Sequence, residues 1–258
     1  VSETPSRPVE ASEESLTDAD RARYQWQIWT PGFGETGQRK LKSSTVLISR
    51  VGGVGGAVAW ALAAAGVGRL ILAHAGNLRL SDLNRQTLMT SAGLDQPRVH
   101  QAAQSLRELN PSIDITPIAE NMSESNARGL VESADVVVDA APLFAERFAM
   151  NRACVLLGRP LVECAMHDFE ATLTTVLPGV SPCLRCRHPV DPPHWTREFP
   201  VFAAIASTIG SLAAVEVLKL LTGLGDPLAG TLLSVNLKSM QFRRLPLLRD
   251  PECAVCGG

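Results

Sequence analysis

Thr45-Val46-Leu47-Ile48-Ser49-Arg50-Val51-Gly52-Gly53-Val54-Gly55-Gly56 is the passage on which the fold turns. A short apolar run stopped by glycines reads as a buried parallel strand. The residues that follow, Ala57 to Ala65, are strong helix formers, and Gly66 ends them. Strand, glycine turn and helix in that order bring backbone N–H groups toward an anion at a helix N-terminus. Many glycine turns only pack a helix against a strand, so Gly52, Gly53 and Gly55 leave both roles open. Two features weigh against a nucleotide. The full pattern asks for a glycine at the strand's end, where Arg50 stands. A carboxylate about 20 residues further on would grip a ribose, yet the second strand ends Ala73-His74-Ala75.

Outward from this passage, strands and helices alternate. Arg69 to His74 is a second strand, and Asp95 to Leu109 reads as a helix with Asp95 as its cap and Pro111 just beyond its end. Ile113–Ile118, Val136–Asp139 and Pro160–Cys164 are further short apolar strands, separated by helical segments near 123–133 and 143–157. Such alternation implies right-handed crossovers and a mostly parallel sheet covered on both faces. After Thr172 the pattern turns β-rich, with Thr172–Leu177, Thr231–Asn236 and Ser239–Leu245 placed around a long helix over 201–222. The predicted class is α/β: a doubly wound, mostly parallel Rossmann-type sheet with an antiparallel C-terminal extension. Residues 1–20, rich in Ser, Glu, Pro and Thr, are predicted to form a disordered arm. Residues 21–258 form one domain, with a nucleotide-binding-like part over about 44–165 and an antiparallel, cysteine-bearing part over about 169–258.

Composition narrows the partners. A chain of 258 residues with 45% hydrophobic content can bury one sizeable core. A net charge of −2 and few aromatics, not interleaved with basic residues, make nucleic acid a poor partner. Val201 to Leu221 nears membrane-span length but carries Glu216 and Lys219, so it reads as a core or interface helix and no membrane partner is expected. Its apolar surface exceeds what one helix face hides, which predicts a dimer. No secretory signal opens the sequence, and a cytoplasmic location is expected.

Four of the six cysteines form two CxxC pairs, Cys183/Cys186 and Cys253/Cys256. In a chain without export signals such pairs read as metal ligands before disulfides. Four thiolates satisfy tetrahedral zinc, and each CxxC turn presents two sulfurs to one ion. The 66 residues between the pairs make the predicted zinc knuckle a staple across the fold rather than a finger. Cys154 and Cys164 lie in apolar surroundings and read as core fillers.

Taken together, the order of motifs resembles the MoeB/ThiF/HesA family of ubiquitin-activating-enzyme-like adenylyltransferases. Arg23-Tyr24-Gln25-Trp26-Gln27-Ile28 is similar to its RYxRQ opening, Gly52-Gly53-Val54-Gly55 to the later part of its GxGGxG loop, and Ser81-Asp82-Leu83-Asn84-Arg85-Gln86 to its SNLxRQ motif. Gly93 to Val99 resembles GxPKV, and Asn110-Pro111, Pro182 to Cys186, Gly210-Ser211-Leu212 and Cys253 to Gly257 complete the likeness from about Tyr24 to Gly257. The resemblance implies ATP and magnesium as cofactors beside structural zinc. It implies adenylation of the C-terminal glycine of a small ubiquitin-like sulfur carrier or a peptide, and a homodimer or a heterodimer with an active paralogue.

Carried over by position, the resemblance makes Arg85 and Arg98 the phosphate-contacting catalytic residues. Gly52, Gly53, Gly55, Asp82, Arg85, Gln86, Arg98 and Asp139 become the cofactor-binding set. Departures are numerous. Arg98 stands for a lysine, Asp82 for an asparagine, Trp26 for an arginine that reaches the partner subunit's ATP, Arg50 for a loop glycine and His74 for the ribose-binding aspartate. In Asp139-Ala140-Ala141-Pro142-Leu143 the family reads DxxDN, and Pro142 occupies the place of the magnesium-associated aspartate. The expected function is therefore a scaffold that binds a carrier or peptide C-terminus with the ATP chemistry lost or repurposed. The alternatives are a working adenylyltransferase using substituted ligands and, more remotely, an NAD(P)-binding oxidoreductase.

Overall fold

The computed structural model describes residues 15–192 and 198–257. Thr17 opens the described chain's first helix, α1 (Asp18–Arg23): its hydroxyl accepts from the Asp20 N–H at 3.1 Å while the Asp20 carboxylate accepts from the Thr17 N–H at 2.9 Å. This reciprocal cap satisfies two orphan donors at once, and it sets the start of regular structure earlier than the arm predicted to residue 20. Residues 1–14 of that arm lie outside the described residues. Two further helices, α2 (Gln25–Ile28) and α3 (Gly34–Lys42), lead into the sheet.

Alternation then proceeds as β1 (Thr45–Ser49), α4 (Gly53–Ala65), β2 (Arg69–Ala73), α5 (Arg98–Leu109), β3 (Asp114–Ile118), α6 (Ala127–Glu132), β4 (Val136–Asp139), α7 (Phe144–Leu157) and β5 (Leu161–His167). After it come β6 (Glu170–Val176), α8 (Leu184–Arg187), α9 (Ala203–Thr222), β7 (Thr231–Asn236) and β8 (Gln241–Pro246). The eight strands form one sheet in the order β3-β2-β1-β4-β5-β6-β7-β8. Its first five strands pair in parallel and its last three antiparallel. Strand order reverses direction between β1 and β4, and the crevice past the carboxyl ends of those strands is where such sheets receive ligands. Asp95 does not cap α5. It takes a left-handed φ of 62°, and the helix begins after Pro97.

Side-chain alternation along the strands builds two cores. Val46, Ile48, Val136, Val138 and Val162 face α4, α5 and α9, whereas Leu47, Val137 and Leu161 face α6 and α7. The helix over 203–222 packs one side along α4, where a Cβ on Gly210 would lie 2.5 Å from the Val54 carbonyl oxygen, and is 44% buried over its most apolar stretch. Its buried Glu216 accepts from the Thr175 hydroxyl and the Leu228 N–H, both at 2.7 Å, and pairs with Lys219. Long and apolar enough to cross a membrane, this helix is a core element here. Exposed apolar groups on and beside this helix include Phe202, Val215 and Leu224, and Trp26, Trp29 and Trp60 are exposed elsewhere.

Candidate functional site

At the end of β1, Arg50 adopts φ 60°, a conformation that glycine takes freely and other residues at a cost. The backbone thus keeps the turn that a glycine would make. Its side chain swings to α7, where Nε donates to Glu146 Oε2 at 2.8 Å and Nη2 donates to Oε1, with both residues buried. Arg50 still lines the cleft beside the glycine loop, with its charge paired to Glu146. A Cβ on Gly55 would come within 2.5 Å of the Arg50 carbonyl oxygen, so Gly55 serves the close approach of α4 to β1. Gly52 and Gly53, by contrast, line an inner cleft of about 100 Å³ together with His74, Arg85, Gln86 and Pro142. An outer compartment of about 410 Å³ continues it past Arg79, Arg85, Glu198 and Phe199, within the size range of ligand pockets.

Asp82 organises the loop after β2. Its Oδ2 accepts from the Arg79 N–H at 3.0 Å and faces Arg98 Nη1 at 3.2 Å, while its Oδ1 accepts from Arg85 Nη2 at 3.1 Å and Gln86 Nε2 at 2.9 Å. A negative charge that would repel a triphosphate is instead covered by two guanidinium groups, and it orients the side chains around it. Arg98 is buried and committed: Nε donates to the Gly76 carbonyl at 3.2 Å, Nη2 to the Asn77 carbonyl, and Nη1 faces Asp82. A lysine could not make that three-way staple. Arg85 donates to the Ser81 carbonyl at 2.8 Å and stays 27% exposed, the better placed of the two to meet an anion.

At the end of β4 the arrangement departs from the expectation for Asp139. It does not line the cleft. Strand alternation points it, with Leu47 and Val137, at α7, and the β4–β5 register sets Glu163 directly beside it. Arg147 of α7 bridges the two, its Nε 2.9 Å from Asp139 Oδ2 and its Nη2 3.0 Å from Glu163 Oε1, and Arg187 Nη1 closes the cluster at 2.8 Å from Glu163 Oε2. Burial pushes the Asp139 carboxyl above its ordinary range against the pull of Arg147, and neighbouring Glu163 adds to the rise. Burial opposes the charge on Arg147, but Asp139 and Glu163 hold its pKa above the usual guanidinium value. Glu146, Arg147, Glu163 and Arg187 went unread in the sequence. Their signal was available: charges inside apolar strands and an apolar helix must find each other, because a buried lone charge is prohibitive.

The four paired cysteines do converge. Their sulfurs all lie within 4.8 Å of one another, with Cys183 and Cys253 at 3.7 Å and Cys186 and Cys256 at 3.3 Å. A disulfide would need about 2.05 Å. Tetrahedral zinc with bonds of about 2.3 Å would space its sulfurs about 3.8 Å apart, so these residues fit that ion. Arg249 ties the knuckle to the sheet's end, donating to the Cys256 carbonyl and to the Gly179 carbonyl at 3.2 Å. Cys154 and Cys164 are buried and their thiols are pushed up by burial, as core fillers should be.

Among the described residues no second ligand cluster accompanies the cysteines, and the inner cleft offers magnesium one carboxylate. Magnesium needs oxygen ligands held open to it. Asp82, the carboxylate lining the inner cleft, has both oxygens engaged, and Asp139 is sealed behind Arg147.

Comparisons with known proteins agree on the lineage. The family model described as "ThiF family" matches residues 24–255. The heterocyst HesA protein of Trichormus variabilis is 47% identical over 94% of this chain and 91% of its own length. A sulfur carrier protein adenylyltransferase of Thermus thermophilus is 36% identical over 93% and 92%. In the solved complex of Escherichia coli MccB with ATP, the fold superposes with a TM-score of 0.82 at 23% identity, covering 97% of this chain and 77% of that one. A family model matched over most of the chain and relatives at 36–47% identity over nearly its whole length show that the chain belongs to the ThiF family.

Proposed function

We propose that this chain holds a nucleotide weakly in the cleft and receives beside it the C-terminal glycine of a small sulfur carrier or peptide, with metal-assisted adenylation lost. Adenylation transfers the α-phosphoryl to a carboxylate and expels pyrophosphate, so it depends on preorganised charge around the leaving group. One observation carries the reading: Asp139 is fully buried on Arg147, while Pro142, with neither charge nor donor, occupies the cleft wall. A phosphate would meet Arg85, the α4 N-terminus and the Gly52-Gly53 backbone, with Arg50 and Arg98 also in the lining but paired to Glu146 and Asp82. Each preorganised group removed typically costs about 3 kcal/mol of transition-state stabilisation, although cooperating groups do not subtract additively. The partner class rests on a relative named for activating a sulfur carrier protein. Zinc, held by Cys183, Cys186, Cys253 and Cys256, would supply folding energy rather than chemistry.

A working adenylyltransferase is the second reading. The observation favouring it is that Arg79 and Arg85 both line the outer compartment and could meet a triphosphate there. ATP–pyrophosphate exchange with Gly-Gly carriers separates the two. The wild type should exchange at or near background, and a Pro142→Asp/His74→Asp variant, which leaves the Arg50–Glu146 pair intact, should gain. Robust exchange by the wild type would restore the adenylyltransferase.

A further inference from the structure

Asn151 is a buried amide with only one of its two ends accounted for. It stands on α7, one turn after Arg147, and is 1% exposed. Its Oδ1 accepts from the Leu184 N–H at 2.9 Å, an orphan donor of the first turn of α8. That bond fixes the amide, because a backbone N–H only donates and the oxygen must face it. Nδ2 is thereby committed to the other side, where it is buried and meets no oxygen or nitrogen partner. Buried polar atoms are almost always satisfied, so one in this position calls for an explanation.

Sulfur supplies one. Cys183 immediately precedes Leu184, caps α8 and, at 2% exposure, is the most deeply buried of the four paired cysteines. Burial pushes its thiol up to about 12, and the Asn151 amide pulls hardest against that rise, ahead of the Cys186 and Arg185 N–H groups. Four thiolates around zinc carry more negative charge than the ion cancels, so the sulfur farthest from water most needs N–H donors. We infer that Asn151 positions Cys183 as a metal ligand, its Nδ2 donating to the Cys183 thiolate while its Oδ1 holds the turn that presents the sulfur. The inference rests on the zinc reading of the four cysteines proposed above. It also makes α7 the anchor of α8 at both ends. Arg147 shares Glu163 with Arg187 at the C-terminal end, and Asn151 takes Leu184 and Cys183 at the N-terminal end. Asn151 is a positioning residue: it would touch the sulfur and not the ion.

The test is NMR of the full, nitrogen-labelled chain loaded with an NMR-active cadmium isotope in place of zinc. Scalar coupling passes from the metal through sulfur to a hydrogen-bonded N–H, so it reads N–H···S bonds directly. The side-chain amide protons of Asn151 should couple to cadmium, which a residue serving only to hold Leu184 would not do. In competition with a chromophoric chelator, Asn151→Leu should weaken zinc by about 10–100-fold. The wild-type measurement stands even if the variant misfolds. Bound cadmium with no coupling at Asn151, whatever the Arg185 and Cys186 N–H groups show, would overturn the Asn151 assignment alone. So would a folded Asn151→Leu variant that holds zinc as tightly as the wild type. A wild type that binds neither cadmium nor zinc would overturn the zinc reading and this one with it.

Discussion

The cysteine knuckle and the glycine-loop cleft are both built from residues that stand out in the sequence, and they differ in how those residues are used. In the knuckle every outstanding side chain points at the others: four sulfurs within 4.8 Å. In and behind the cleft the outstanding charges pair with other residues of the chain, even where, like Arg50 and Arg98, they still line it. Arg50 is committed to Glu146, Arg98 to Asp82 and two carbonyls, and Asp139 to Arg147. A thiolate cluster has one plausible use. An arginine or aspartate in a loop has two, ligand contact or ion pair, and the choice is made by residues far along the chain. Arg187 links the two regions, since it follows Cys186 and closes the ion cluster that begins at Asp139.

The largest expected effect falls on the knuckle. Cys253→Ser removes one of four ligands, and because structural zinc contributes folding energy outright, the variant should lose bound metal and most of its stability. Mass spectrometry of the native protein should find one zinc per chain, and thermal melting of the variant should begin well below the wild type. Wild-type protein purified without chelator and carrying no metal would break the comparison at its firmer end.

The same contrast explains what was legible in the sequence. The mostly parallel sheet, the antiparallel extension and the pairing of the cysteines followed from periodicity and local spacing, which are short-range signals. Of the three glycines read as cofactor-binding, Gly52 and Gly53 line the cleft, while Gly55 packs α4 against β1. Asp139 looked like a cofactor ligand because it ends a strand beside the loop. What hid its fate is the two-residue period of β4, which aims it at α7, and a partner eight residues away on another element. Arg98 was read for its charge, yet its burial and carbonyl contacts make it a staple. The reciprocal cap of Thr17 and Asp20 starts regular structure a few residues early, and the left-handed Asp95 before Pro97 starts α5 a few residues late.

A middle-sized effect sits at the link. Arg147→Met leaves Asp139 and Glu163 adjacent, buried and short of a counter-charge. Breaking a buried pair in this way typically costs about 3–5 kcal/mol, readable as a lower urea midpoint. Adding Asp139→Asn and Glu163→Gln to the same chain should restore most of it, because the penalty belongs to the stranded charges. A single variant as stable as the wild type would mean that Arg147 is not holding Asp139, and the proposed loss of a magnesium ligand would lose its support.

The smallest effect separates pairing from ligand contact at Arg50. Replacing it with glycine strands Glu146 on α7, a cost of about 3–5 kcal/mol, but relieves a left-handed conformation worth about 1–2 kcal/mol to a side-chain-bearing residue. The net should be a loss of about 1–4 kcal/mol in urea unfolding, taking those two figures together. Arg50→Gly combined with Glu146→Leu removes the stranded charge while keeping the glycine's freedom, and should be near wild type or above it. ATP affinity should scarcely differ between the double variant and the wild type, since Glu146 already cancels the charge of Arg50, whereas Arg85→Ala should weaken ATP clearly. If the double variant lost ATP as Arg85→Ala does, Arg50 would belong to the ligand and not to α7, and the cleft would be less spent on itself than its ion pairs indicate.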